Sequence, residues 1–297
     1  MYKSYLSILY ITIVLFIISH GSLAITRDAE RQTISKKEIL TREKSLIVNL
    51  KYGNGYIIIG KSDPQHVYEG EFTYSKYSPD LKYDIVNNEG RLNIFFSGEA
   101  RDTNENDRKE DIYSLNELYE NQLLLNFNEG IPLDLNLDLG VSKGNIDFSG
   151  LKVRKLTIEM GVSKTGIIFN EVNSIEMESF RVEGGVGKFS IKNLGNANVS
   201  DFSFEGGVGS YQLDFRGNYQ QNLTGKIELG IGKLVLYLPR NIATRLSVDK
   251  SFFSSLHIDE VFKDGNTYTN ERWGKGGPNI DLYIESGMGK IKVVWVD

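Results

Sequence analysis

Histidine and cysteine, two residue types that commonly serve in catalysis and metal binding, are scarce or absent in this chain of 297 residues. Of its 3 histidines, His20 lies in the apolar N-terminal segment, which leaves His66 and His257 as candidates. Neither is accompanied by His, Asp or Cys at the spacing of a ligand motif, so we expect both to be surface or strand residues. The absence of cysteine excludes disulfides, thiolate metal sites and a cysteine nucleophile.

Carboxylates are abundant, but their spacing does not match a calcium loop. Asp102, Asn104 and Asn106 alternate as calcium ligands do. An EF-hand also needs glycine at its sixth position and glutamate at its twelfth, where this chain has Asp107 and Tyr113. The other prominent carboxylates recur regularly along the chain, and such regularity indicates structure rather than one acid/base pair.

The glycine-rich segments also fail as phosphate or calcium loops. Gly187-Lys188 is followed by Phe189, where a Walker loop needs Ser or Thr. The calcium-binding nonapeptide pattern fails too, because its carboxylate position holds Lys188-Phe189 and Ser210-Tyr211. We therefore predict no cofactor, no metal and no catalytic residue.

One aromatic residue remains as a candidate contact. Trp273 stands beside Arg272 and near Lys275 in a glycine-rich segment, so it could touch a sugar or an anion. The alternative is that it covers the end of a hydrophobic core.

The glycines belong to a repeat that organises the chain. Residues 182–188 (VEGGVGK) return as residues 204–210 (FEGGVGS), and five further copies match the same template in full or in part. Between Gly140 and Gly230 the spacing is 21 to 24 residues, which is typical of solenoids. The template glycines are Gly53, Gly140, Gly161, Gly185, Gly207, Gly230 and Gly287.

Each copy has the periodicity of a strand on both sides of its glycine. The positions three before and six after the glycine are always apolar, for example Ile158 and Ile167 around Gly161. We predict an all-β fold in which each template glycine forms a corner with positive φ. Two geometries fit: a stacked β-solenoid with the glycine in a β-arc, which the period favours, or an array of β-hairpins.

Composition and the N-terminus bear on the compartment. Residues 1–24 have the pattern of a cleaved secretory signal, with Lys3, an apolar run and Ser22-Leu23-Ala24. The chain is therefore expected to be secreted or periplasmic and not an integral membrane protein after cleavage. The alternative is an uncleaved N-terminal anchor. The formal net charge of −5 argues against nucleic acid as a partner.

The rest of the chain divides by composition. Residues 25–44 are a polar lead-in, in which 33–44 is either a short helix or flexible. Residues 45–130 form the N-terminal part of the repeat domain, with a charged insertion at 98–120. The regular repeats occupy residues 131–297; a further coil is predicted at 243–258, a loop at 261–279, and the last copy at 280–295 is expected to close the stack.

A family resemblance adds to this interpretation. The segments LDLNLDLGVSKGNIDFSGLKVRKLTIEMGVSK (133–164) and DGNTYTNERWGKGGPNIDLYIESGMGKIKV (264–293) resemble the toastrack-type domain in the C-terminal region of LiaF-like cell-wall-active antibiotic response proteins. LIVNLKYGNGYIIIGKSDPQHVYEGEFTYS, which begins at Leu46, resembles the N-terminal part of the same family. The resemblance implies a role in envelope stress or adhesion. The chain departs from LiaF-like sensors in carrying a signal sequence in place of their transmembrane helices.

Outward positions of the repeat predict two charged columns. Two residues before the glycines the side chains are acidic: Asp138, Glu159, Glu183, Glu205, Glu228 and Glu285. Three residues after them they are mostly lysine: Lys143, Lys164, Lys188, Lys233 and Lys290. Either the columns neutralise each other, or the lysines stay open and bind a polyanion.

We predict a non-catalytic binding or scaffolding module at the cell envelope. Its partner would be an envelope polymer or an envelope protein. The candidate ligand surface comprises the lysine column with Arg272 and Trp273. The alternative function is a polysaccharide lyase or hydrolase on a parallel β-helix. The sequence does not define the oligomeric state.

Overall fold

A computed structural model describes residues 31–96 and 121–297, which are almost entirely β-strand and turn. Arg31–Asp297 forms one compact unit, and its described residues include a short 3₁₀ helix at Leu194–Ala197. The signal sequence predicted at 1–24 and the insertion predicted at 98–120 lie outside the described residues. The strands are β1 (Gln32–Ile39), β2 (Ser45–Lys61), β3 (His66–Tyr74), β4 (Asp80–Val86), β5 (Glu89–Phe96), β6 (Gln122–Phe127), β7 (Leu133–Asp147), β8 (Val153–Ile168), β9 (Ser179–Lys192), β10 (Asp201–Asp214), β11 (Leu223–Pro239), β12 (Ala243–Lys250), β13 (Ser254–His257), β14 (Phe262–Asp264), β15 (Thr267–Thr269) and β16 (Asn279–Val296).

The regular coils stack as long parallel strands in register. β7 pairs with β8, β8 with β9, β9 with β10, and β10 with β11, always in parallel. The repeat sets the register, so that Leu139 faces Met160 and Val141 faces Val162 across one pair of template glycines. A hairpin at each glycine would have made neighbouring segments antiparallel. The stacked solenoid is therefore confirmed, and the hairpin array is excluded for these coils.

Each long strand bends at its template glycine. In β7 the buried residues are Leu135, Leu137 and Leu139 before the glycine, but Ser142 and Ile146 after it. The buried positions thus change from odd to even numbers at the corner. Side chains alternate between the two faces of a strand, so this change keeps both halves facing one core only if the chain turns there. The corner is consequently convex, with the core on its inner side.

The N-terminal end of the stack contains a split coil. β2 pairs with β7 on one side, while on the other side its first half pairs with β5 and its second half with β6. Phe96 is the last residue of β5 opposite β2, and Gln122 is the first of β6. The chain therefore leaves β5 and enters β6 at the corner of this coil.

The segment before the first marked copy is a strand. β1 pairs antiparallel with β3, and β3 pairs antiparallel with β6. The expectation of a helix or flexible segment at 33–44 is wrong for Gln32–Ile39. These residues add as a strand to the edge of β3, whose backbone groups would otherwise have no partner strand on that side.

The C-terminal copy does not close the stack. β16 lies between β11 on one side and β12 with β13 on the other, all in parallel. The coil predicted at 243–258 is confirmed as the outer neighbour of β16. The loop predicted at 261–279 contains the short strands β14 and β15, and β15 adds antiparallel to β12. The chain therefore forms the outer coil of β12 and β13 first, and β16 then lies between that coil and β11.

Aromatic rings stack through the core in the same way as the strands. Phe169, Phe180 and Phe202 are fully buried, and neighbouring ring centroids are 5.9 and 5.4 Å apart.

Buried asparagine side chains hold the turns between coils. Asn173 donates from Nδ2 to the carbonyls of Val153 (2.6 Å) and Ala197 (3.2 Å), one on each neighbouring coil. These bonds satisfy backbone groups that water cannot reach.

Candidate functional site

The template glycines are needed at the corner, but not for positive φ. None of the seven has a left-handed φ, so that prediction is wrong. A Cβ on Gly185 would lie 2.6 Å from the carbonyl oxygen of Gly161, and one on Gly207 would lie 2.4 Å from that of Gly185. Stacked coils approach each other too closely at this level for any side chain. Positive φ occurs two residues later in some coils, as at Gly187 (142°).

The lysine column lies on the outer slope formed by the second half of each coil. Lys143, Lys164 and Lys188 are direct partners in the register, Ser210 follows, and Lys233 and Lys290 continue the line. Neighbouring strands in a sheet are about 4.8 Å apart, so consecutive lysines are close enough to repel.

The lysines face a shared groove and lack carboxylate partners. Lys143, Lys164 and Lys188 line a groove of about 450 Å³, and the polar residues Asn145, Ser190 and Gln212 line it with them. Across the described ranges, no carboxylate oxygen lies within 4.0 Å of any of the five column lysines. The arrangement favours the open lysine column over mutual neutralisation.

The acidic column occupies the opposite slope of the corner. Glu159, Glu183 and Glu205 line a separate groove of about 420 Å³ with a glycine floor. Two members of the acidic column have lysine partners on their own slope: Lys51 lies 3.9 Å from Asp138, and Lys226 contacts Glu228. The bend at the template glycines therefore separates the two columns.

An exposed apolar line separates the slopes. The residue after each template glycine is roughly half exposed in five coils, and the turn between β12 and β13 adds two phenylalanines at the outer end. Six of the seven template copies have Val, Ile or Met at this position, and the copy at Gly53 has Asn54. We call this line the corner ridge; it comprises Val162, Val186, Val208, Ile231, Met288, Phe252 and Phe253.

A groove of about 690 Å³ lies on the acidic slope near the N-terminal end. Its floor carries a ladder of amides, in which Asn49 donates to Asn93 and Asn136 donates to Asn49, both at 2.9 Å. Charged side chains of both signs surround the ladder, including Asp80 and Lys82 from β4. We did not predict this groove from the sequence. Asn49 and Asn136 share one repeat position, but β4 lies outside the repeat.

The other sequence candidates lie elsewhere. Trp273 packs under the guanidinium of Arg245, 4.8 Å from the ring centroid, and Arg272 lines a separate groove of about 470 Å³. Neither joins the lysine column. His66 Nδ1 lies 2.9 Å from a Glu69 carboxylate oxygen, and His257 lies in β13 at the outer coil.

Residues 31–96 and 121–297 offer neither a metal site nor a membrane-spanning helix. There, no three His, Cys, Asp or Glu side chains come together as a metal site would need. No helix in that part is long and apolar enough to cross a bilayer.

Comparison with known proteins identifies one family and several solved structures with low similarity. Residues 24–192 and 173–237 match the family described as the N-terminal domain of toast_rack, DUF2154. No curated protein matches the chain.

The solved structures to which the chain is similar include a proposed cell adhesion protein from Clostridium sporogenes, with 22% identity over 89% of this chain and 100% of the other, and a TM-score of 0.45. A proposed adhesin from Bacteroides fragilis has 11% identity over 89% and 97% of the two chains, with a TM-score of 0.32. A proposed lipid-binding protein from Parabacteroides distasonis has 14% identity over 90% and 98%, with a TM-score of 0.38. Identities and TM-scores this low indicate nothing about the function of this chain.

Proposed function

The chain belongs to the toast_rack N-terminal family, and we propose that it is a non-catalytic binding module of the cell envelope whose lysine column holds a linear polyanion. The observation that carries this proposal is the line of five lysines in register, interrupted once by Ser210 and without carboxylate partners among the described residues; three of the five line one groove. The export signal predicted at 1–24 and the resemblance to LiaF-like proteins support the envelope location and a role in envelope stress or adhesion.

Repulsion within the lysine column explains why the column would bind a polyanion. Stacked lysines repel one another, and a chain of regularly spaced anions relieves the repulsion at several coils at once. The net charge of −5 works against unspecific attraction of anions, so binding has to come from this slope. Because the contacts are exposed, the affinity should fall steeply as salt screens them.

The test is binding of long-chain inorganic polyphosphate by the protein at low and high salt. We expect Lys164→Glu with Lys188→Glu to abolish binding while the melting temperature stays within a few degrees. A matched control is Lys36→Glu with Lys37→Glu, the same charge change on the exposed edge strand β1. If the control loses as much affinity as the column variant, or if wild-type protein does not bind polyphosphate, the proposal is wrong.

A second candidate function rests on the groove over the amide ladder. Lys51, Asp138 and Glu159 come from one repeat position, and β4, which lies outside the repeat, adds Asp80 and Lys82, so carboxylates and amines meet in one groove. A polysaccharide lyase or hydrolase needs such a mixture in one groove. The discriminating measurement is the release of new chain ends from envelope polysaccharide. If Glu159→Gln and Asp138→Asn stop such a release, the enzyme becomes the better description.

A further inference from the structure

The corner ridge is an exposed apolar surface that the proposed polyanion contact does not use. Its five aliphatic members are 46–52% exposed, and the strand register places them next to one another along the stack. At its outer end Phe253 is 69% and Phe252 95% exposed. Single exposed apolar residues are ordinary on protein surfaces, but a continuous line of them marks an interaction site.

The phenylalanine turn is hydrogen-bonded to β16, while its two rings remain exposed to solvent. Ser251 donates from Oγ to the carbonyl of Gly287, and the amide of Gly289 donates to the carbonyl of Phe253 at 3.1 Å. The two rings pack edge to face against each other, with centroids 5.6 Å apart. Neither hydrogen bond involves the side chain of Phe252 or Phe253. The exposed rings therefore have no evident role in holding the turn.

The shape of the ridge restricts what can cover it. Because the chain bends around the core, the ridge is convex, and two such ridges would touch only along their apices. A stable dimer buries about 800 Å² on each partner, which a line contact does not provide. A lipid surface deforms around an apolar edge and accepts aromatic rings at the level of its headgroups.

The charges beside the phenylalanine turn also fit a lipid surface. Lys290 and Lys292 of β16 lie alongside β13 on the slope just past the turn. The acidic residues Asp249 and Glu285 continue the column on the other slope. If the protein lies with its lysine slope against a lipid surface, the ammonium groups contact lipid phosphates and the carboxylates of the other slope face away from the lipid.

We propose that the corner ridge, led by Phe252 and Phe253, inserts into the headgroup region of an anionic lipid surface. The inference goes beyond the polyanion contact, because it requires the phenylalanines. The ridge would dock the module at a membrane and leave the groove at Lys143, Lys164 and Lys188 beside it.

The experiment is co-sedimentation of the protein with phosphatidylcholine vesicles that contain phosphatidylglycerol. We expect Phe252→Ser with Phe253→Ser to lower the partition coefficient at least about tenfold, since both rings lose their apolar contact with lipid. Phe262→Ser is the matched control: Phe262 is 64% exposed but lies in β14, away from the ridge. A second variant, Val186→Thr with Val208→Thr, changes the middle of the ridge and should weaken binding less.

Three results would overturn the inference. Wild-type protein could fail to bind the vesicles, or the double phenylalanine variant could bind them as well as wild type. The third is self-association that disappears in that variant while vesicles are ignored, which would make a second copy the occupant. Polyphosphate binding separates this inference from the proposed function, because the phenylalanine variant should keep it and the Lys164→Glu with Lys188→Glu variant should lose it.

Discussion

At the scale of single residues, the corner glycines are determined by the distance between coils. Gly207 has an ordinary φ, yet its missing side chain leaves room for the carbonyl of Gly185. The sequence repeat therefore identified the right residues for the wrong reason. A positive φ constrains a residue through its own backbone, whereas these glycines are constrained by the neighbouring coil.

Gly207→Ala should lower the free energy of unfolding by about 1–3 kcal/mol, because the new methyl would overlap a fixed backbone oxygen. Gly185→Ala should behave in the same way. The control is Gly166→Ala in β8, where a Cβ would meet its nearest atoms at ordinary distances of 3.4 and 3.6 Å. Chemical denaturation measures all three. Equal stability of Gly207→Ala and Gly166→Ala would contradict the close-approach argument.

Glu43 is a buried carboxylate that makes stability depend on pH. Burial alone would raise its pKa, but hydrogen bonds from the Tyr83 hydroxyl (2.5 Å) and from the Thr41 and Arg42 amides (both 2.8 Å) outweigh it and lower the pKa to about 2. The unfolded chain has the ordinary value of 4.5. A lowered folded-state pKa contributes stability above the unfolded value and loses it as the pH falls towards the folded value.

We therefore expect Glu43→Gln to cost up to about 3 kcal/mol near neutral pH. The difference from wild type should shrink as the pH falls from about 4.5 to about 2, where the wild-type carboxylate becomes protonated. Urea unfolding of both proteins at several pH values measures it. A difference that does not change with pH would assign the effect to packing rather than to the charge.

At the scale of strands, alternation and register follow from the sequence. The apolar positions three before and six after each glycine predict a change of buried face, and β7 shows it as Leu137 and Ile146. The ends of the stack do not follow in this way. β2 and β16 each lie between two coils that are distant from them in the chain, and a local pattern contains no information on such pairing.

The split coil gives a prediction about the insertion. Between Tyr52 and Tyr56, β2 turns its corner with three residues, while the neighbouring coil joins Phe96 to Gln122 through residues 97–121. Asn121 belongs to that corner, because its carbonyl accepts hydrogen bonds from the Tyr52 hydroxyl (3.1 Å) and the Tyr56 amide (2.9 Å).

Replacing residues 97–120 by Gly-Gly should therefore leave a regular corner, since Asn121 is kept and the number of residues then equals that of β2. We expect a circular dichroism spectrum of the same β type and a melting temperature within about 5 °C of wild type, because a shorter loop costs little closure entropy. The matched control also replaces Asn121, and it should be less stable. Unfolding of the Gly-Gly variant itself would show that the insertion is part of the core.

At the scale of the whole molecule, stability in a stack of coils comes from each interface with a neighbour. β16 forms two such interfaces, with β11 and with the outer coil of β12 and β13, although it is last in the chain. The module therefore depends on its C-terminal strand more than the order of the sequence suggests. Among the described strands, β1 in contrast pairs with β3 alone.

Removal of residues 279–297 should consequently release the outer coil at 243–258 as well as β16, because β12 and β13 lose their parallel partner. Hydrogen exchange should show fast exchange from Ala243 onwards, while amides of β8 and β9 stay protected. A chain that starts at Thr41 is the control, since it lacks only the edge strand β1 and should keep protection in both regions. If amides at 243–258 stay protected without β16, the outer coil packs on β11 instead, and the nearest-neighbour description of this end of the stack is wrong.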